Sequence, residues 1–166
     1  MDNDGFIYGL DELIFGGRSF GFISEDGLSA GGNNPTTTQV RAAQARNAVV
    51  KTLFTTPGSK QFTFMLIQLK GENFKDVFGG TVDETTGVYS APSEEVMQEA
   101  PAMIKCASGH TIVIKKASLV GNLGNAINLA QTLGISCIME ILIPADKSSP
   151  FQIYPPGQNP PEEPEG

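Results

Sequence analysis

The side chains in this sequence that could move protons, attack a carbonyl or hold a metal are few and scattered. His110 is the only histidine, within Ser108-Gly109-His110-Thr111. A histidine base needs a carboxylate or similar group to orient its ring. No carboxylate is near it in the sequence, so His110 reads as a turn histidine exposed to solvent. Cys106 and Cys137 are the two cysteines. Both lie in apolar, strand-like runs without metal-ligand spacing, which predicts buried free thiols rather than a disulfide. Glu25-Asp26-Gly27 could meet a cation, but it lacks the alternating oxygen ligands of a calcium loop and reads as an acidic turn. Gly31-Gly32-Asn33-Asn34 is glycine-rich, yet no Lys-Ser/Thr follows and no strand–loop–helix frames it, against a phosphate cradle. Glu94 and Glu95 read as a solvated face. The expectation is a protein with no catalytic site, no metal site and no cofactor, and not an enzyme.

The elements that position these residues are mostly strands. Residues 48–56 and 60–69 are rich in Val, Thr, Phe and Ile, which suit a pleated, half-buried surface, and flank a Pro57-Gly58-Ser59 turn. Phe62, Phe64 and Leu66 fall on one face at period two. Gln61 and Thr63 begin the other, which turns apolar at Met65, Ile67 and Leu69. This predicts a long antiparallel hairpin in the middle of a sheet, polar at its turn and buried on both faces further in. Upstream, 12–15 and 18–23 form a hairpin closed by Gly16-Gly17, with Phe20 and Phe22 on one face. Residues 27–39 are Gly, Ser, Asn, Pro, Thr and Gln with only Leu28 and Ala30 apolar, the composition of a long functional loop. Residues 40–46 read either as a short helix or as the start of the next strand.

Further along, Phe74, Val77 and Phe78 stand at i, i+3 and i+4, a short amphipathic helix stopped by Gly79. Residues 81–101 carry five acids and no base, an excursion with a helical turn at 93–99 that Ser93 would cap. Strands are expected at 102–107, 111–119, 135–143 and 151–154, with 121–132 either loop or strand. Ile135, Cys137, Met139, Ile141 and Ile143 share a face. Residues 155–166 hold five Pro and three Glu and predict a disordered or polyproline tail. The whole reads as one mainly β domain over 1–154, a β-sandwich or barrel-like pair of antiparallel sheets with one flanking helix and a long loop.

The 166 residues suffice to bury roughly 70% of the unfolded surface. A net charge of −7 argues against an electrostatic grip on nucleic acid. Met1-Asp2-Asn3-Asp4 is acidic where a secretory leader is basic, and no apolar run is long enough to span a membrane. Arg41, Arg46, Lys51, Lys60, Lys70 and Lys75 share a stretch whose acids are Glu72 and Asp76, while the first 26 residues, 81–101 and the tail are acidic. Opposite-signed sections allow head-to-tail association of copies or neutralisation within one chain.

Gly21-Phe22-Ile23-Ser24-Glu25-Asp26-Gly27-Leu28, then Gln39-Val40-Arg41-Ala42-Ala43-Gln44 and the strand at 49–55, resembles the major tail tube proteins of long-tailed (siphovirus-type) bacteriophages. Members commonly carry a G-[WF]-[IV]-S-E-D-G turn, a Thr-rich loop, an I-R-A-x-Q segment and an F-x-F-x-L-I strand, here Phe62-Thr63-Phe64-Met65-Leu66-Ile67. The match covers about a third of the chain well. Phe22 stands where Trp is frequent and Ala43 where an aromatic often sits. The resemblance implies a β-sandwich whose copies form hexameric rings, stacked into the tail tube that conducts DNA into the host. The 24–39 loop would contact the neighbouring ring through Ser24, Glu25, Asp26, Gly27, Leu28, Asn33, Asn34, Thr36 and Thr37. Phe74, Val77 and Phe78 would form a packing helix, and Phe62, Phe64, Leu66 and Ile141 the sheet core between subunits. Implied partners are other copies, the tape measure, terminator and distal tail proteins, and viral DNA passing unbound through an acidic lumen, with no membrane. The protein would be assembled in the host bacterial cytoplasm and reside in the virion tail. Its sheet edges would be used up by pairing between subunits. The competing expectation is a capsid decoration or adhesin-type β-domain displayed on a virion. The inner tube of a contractile secretion machine is a close relative of the first reading.

Overall fold

A computed structural model describes residues 3–161. The chain is mainly β, with every sheet antiparallel and one short helix among the described residues, as expected. Its elements are β1 (Leu10–Phe15), β2 (Arg18–Ser19), β3 (Ser29–Gly31), β4 (Thr36–Val40), β5 (Lys51–Thr56), β6 (Gln61–Leu66) and α1 (Gly71–Phe78). After the helix come β7 (Thr81–Val82), β8 (Tyr89–Ser90), β9 (Gln98–Cys106), β10 (Thr111–Gly124), β11 (Gly134–Ile141) and β12 (Phe151–Tyr154). An eight-stranded sheet runs β2-β1-β9-β10-β11-β6-β3, with β12 also on β10; β4–β5 and β7–β8 are separate pairs.

β10 organises the sheet. Its fourteen residues are too many for one flat partner, and a register shift between Ile114 and Ala117 breaks its ladder with β9. A bulge of this kind bends a strand and adds twist. Before the bend β10 pairs with β12, after it with β11. The sheet therefore curls without closing into a barrel, since β2 and β3 at its two ends do not pair. Phe20, which follows β2, stacks on Phe15 of β1 with ring centroids 5.8 Å apart and meets Phe64 of β6 at 6.2 Å. Leu13, Leu66, Ile114, Leu119, Ile135, Cys137 and Met139 complete the buried core. Phe64 and Leu66 are buried in the core of this one chain, and Phe62 and Ile141 pack partly buried against that core.

Residues 20–24 cross from one edge of the curl to the other. The Phe20 N–H donates to the Leu13 carbonyl, the Ile67 N–H to Phe22 and the Ser24 N–H to Met65. This stitches one end of the sandwich-like fold shut. α1 sits on that closed end. Asn73, buried, donates from Nδ2 to the Phe20 and Gln68 carbonyls at 3.0 and 2.5 Å. The Arg18 guanidinium of β2 bonds Asp76 of the helix at 2.6 Å. Val77 is buried over Gly121 of β10, where a Cβ would lie 2.6 Å from Val77 Cγ1. The helix ends at Gly79, φ +79°, as its sequence predicts. Phe74 stacks between Phe78 and Tyr89. A helix of eight residues would not persist alone, so these contacts hold it.

Several expectations are corrected. Residues 48–56 and 60–69 do not form a hairpin: β5 pairs with β4 outside the main sheet, while β6 lies between β11 and β3. Residues 57–60 join two sheets rather than turning within one. The Gly16-Gly17 turn exists, both glycines at positive φ, with Phe15 opposite Arg18. Its second strand stops at Ser19, because Gly21 (φ +78°) redirects the chain across the curl. Phe20 and Phe22 consequently part, the first buried and the second 72% exposed. The far face of β6 is covered less than expected, with Met65 half-buried and Ile67 exposed. The 27–39 loop contains β3 and most of β4, Val40 ends β4, and residues 41–50 are turns and irregular backbone, neither a helix nor the start of β5. No helical turn forms at 93–99, since Gln98 already starts β9. β10 continues through Gly124. Of the tail, 155–161 contains a turn between Pro155 and Gln158, and 162–166 lie outside the described residues.

Candidate functional site

Two features face each other chemically: an exposed arm and an open cleft. The arm is the β4–β5 pair. Val40 stands opposite Lys51, Thr38 opposite Leu53 and Thr37 opposite Phe54. Alternation along the strands puts Val40 and Leu53 on one face and Phe54 on the other. All eleven strand residues are exposed, Phe54 by 78%. The arm is fixed at its root. The Ser59 N–H donates to the Asn33 carbonyl (2.9 Å), and Ser59 Oγ accepts from the Asn33 N–H (3.0 Å). Gly32, at φ +119°, passes so close to Ser59 that a Cβ there would overlap its carbonyl oxygen. A root held this tightly gives a protruding, directed element rather than a random loop.

The cleft, about 760 Å³, lies between residues 7–9, β1, the end of β9, the start of β10, residues 21–28 and Phe62. Leu13 and Ile104 are buried in its wall; Ile23, Leu28, Phe62 and Ile112 are half-buried. Asp11, Glu25 and Asp26 stand exposed at its rim. The 25–26 turn is closed by the Gly27 N–H donating to the Ser24 carbonyl, with Gly27 at φ +65°. Cys106 also lines the cleft, its thiol pushed up by burial and then by the nearby Asp11 carboxylate.

The nine residues expected to form one assembly loop are divided between these features. Ser24, Glu25, Asp26, Gly27 and Leu28 belong to the cleft wall; Asn33 lies at the root of the arm and Thr36 and Thr37 in β4, with Asn34 between them. β3 separates the two groups. Val40, Leu53 and Phe54 were missed as surface residues. The available signal was that residues 27–71 contain no acid while Arg41, Arg46 and Lys51 surround the apolar positions.

The potentially reactive side chains are dispersed. His110 is not an exposed turn residue: it is 5% exposed, with Nδ1 3.0 Å from Ser108 Oγ. The reason is the incoming chain at Tyr8, whose N–H donates to Ser108 Oγ and whose carbonyl accepts from the Ser108 N–H. These bonds lay the N-terminal segment over the β9–β10 turn. Both cysteines are free, Cys137 buried and Cys106 half-buried. Burial pushes the Cys137 thiol up to about 12. The β10–β11 turn presents a second apolar feature, Ile127 and Leu129, on a loop ordered by Asn128 Oδ1 accepting from the Ala130 and Gln131 N–H groups. No helix among the described residues is long and apolar enough to cross a membrane.

Comparison with models of known protein families finds no match, and comparison with curated proteins finds none either.

Proposed function

We propose that this chain is a structural subunit of a bacteriophage tail tube, polymerising as stacked hexameric rings through which viral DNA passes during ejection. The observation that carries this reading is the β4–β5 arm, a rooted two-stranded sheet with Val40, Leu53 and Phe54 exposed and no third strand among the described residues. A two-stranded ribbon is marginal in water and gains most by being covered. Apolar residues displayed on such a ribbon fit a contact with another subunit better than a monomer surface. The resemblance at 21–28 and 62–67 supplies the kind of assembly. The edge strands β2 and β3 are short, and in this reading a neighbouring subunit covers them. The net charge of −7 suits a lumen that does not hold DNA. In this reading the partners are other copies and the remaining tail proteins, the residence is the virion tail, and the protein performs no catalysis.

Negative-stain electron microscopy at several concentrations tests the proposal. Rings or tubes with a central channel are expected for the full chain, and no tube growth once 35–56 is replaced by a short Gly/Ser link. Particles that stay monomeric or trimeric at every concentration would sink the tube reading in favour of a decoration or adhesin-type module.

A further inference from the structure

We infer that the cleft between β1, the start of β10 and residues 21–28 is the receptor for the β4–β5 arm of a second copy. The inference deepens the assembly reading and rests on it for the existence of a contact between copies. It names the surface that receives the arm.

Charge and polarity carry the argument. The lining includes Asp11, Glu12, Glu25 and Asp26 and no Lys or Arg. Glu12 is matched by Lys105 at 3.4 Å; the other three acids form no salt bridge among the described residues. The arm carries Arg41, Arg46 and Lys51 and no acid, and none of these cations forms a salt bridge there either. Unmatched charge of opposite sign is therefore divided between the two features. Below the acidic rim the wall is apolar, which suits the Phe54 face of the arm. Seating that face places the Phe54 ring against Ile23, Phe62 and Ile112 with the cations left at the rim. That arrangement is an apolar centre with a polar, charge-matched periphery. The arm does not fill its own cleft, since no residue of 31–59 lines it.

Cys106 supplies the test, because it lines the cleft while Cys137 is buried. A donor chain carrying T52C, on the Phe54 face of the arm, and C106S is mixed with a mass-tagged acceptor of native sequence and oxidised at mildly alkaline pH. The expected product is a donor–acceptor disulfide joining position 52 to Cys106, mapped by peptide mass spectrometry. Reversing the rim in the acceptor (D11K/E25K/D26K) should lower the yield about tenfold, the equivalent of three surface ion pairs. Adding R41E/R46E/K51E to the donor should restore it. Assembly by light scattering without any 52–106 link overturns the cleft as receptor and leaves the assembly reading standing. Linked pairs without larger particles support the receptor and count against the tube. A link formed only between two donors also overturns the inference.

Discussion

β5 and β6 are each six residues long, separated by residues 57–60, and both mix Thr with Phe and Leu. All of β5 is exposed, whereas Phe64 and Leu66 of β6 are buried. The difference lies in their partners. β6 has β11 along its whole length and β3 beside its first half; β5 has only β4. Strand-forming composition selects an extended backbone, but burial depends on which neighbours the topology supplies. One strand is covered within the chain and the other is not.

The largest expected effect is on the covered side. Leu66 has no exposed surface and lies in the centre of the core. Leu66→Ala should cost about 2–5 kcal/mol, the range for a buried leucine whose cavity only partly collapses. Urea unfolding of the dilute protein measures it, and a cost below about 1 kcal/mol would break the contrast between the strands. Next comes the helix seat. A side chain at Gly121 meets Val77 and Ile135 in a packed interior, so Gly121→Val should cost about 1–3 kcal/mol. Adding Val77→Ala should give a total smaller than the sum of the two single effects, because the residues share one space. Strict additivity would mean that α1 is not held where the contacts place it.

Legibility in the sequence follows the same division. α1 was readable because Phe74, Val77 and Phe78 follow helical spacing and Gly79 stops the helix. β9, β10, β11 and β12 were readable from alternation bounded by Gly, Ser or Pro. The pairing of β4 with β5 was not, because Thr36, Thr37 and Thr38 look like loop and Pro57-Gly58 looks like a hairpin turn. Nothing local says that residues 57–60 instead connect an arm to a sheet. His110 reads as exposed in the sequence for a related reason. The segment that covers it arrives from Tyr8, about a hundred positions away, and sequence neighbours carry no trace of that. The cleft is half legible: Glu25-Asp26-Gly27 marks an acidic turn, but its apolar companions come from five strands far apart in the sequence.

Cys137 tests the core by chemistry rather than truncation. Its thiol is pushed up to about 12 by burial, from an ordinary value near 9.0. Below pH 9 both folded and unfolded states hold the proton and the group is silent. Above it the unfolded chain ionises while the folded chain does not, so stability falls between pH 9 and 12. The expected loss from this group at pH 10 is about 1 kcal/mol. It is read as the difference between the native chain and Cys137→Ala in how unfolding free energy changes from pH 8 to pH 10. Equal slopes would mean the thiol is not shielded.

The smallest effect on folding should coincide with the largest on assembly. Phe54 is 78% exposed on the arm, so Phe54→Ala removes almost nothing from the folded monomer and should change its stability by no more than about 0.5 kcal/mol. The same change deletes the arm's only exposed aromatic ring. A buried aromatic at an interface commonly contributes 2 kcal/mol or more, so the concentration needed for assembly should rise by at least about tenfold. Sedimentation or light scattering across a dilution series reads that concentration, and urea unfolding of dilute protein reads the stability. A loss in both would make Phe54 part of the fold. Unchanged assembly would leave the exposed ring without the role argued for it and return attention to Ile127 and Leu129 at the β10–β11 turn, exposed on a loop ordered by its own hydrogen bonds.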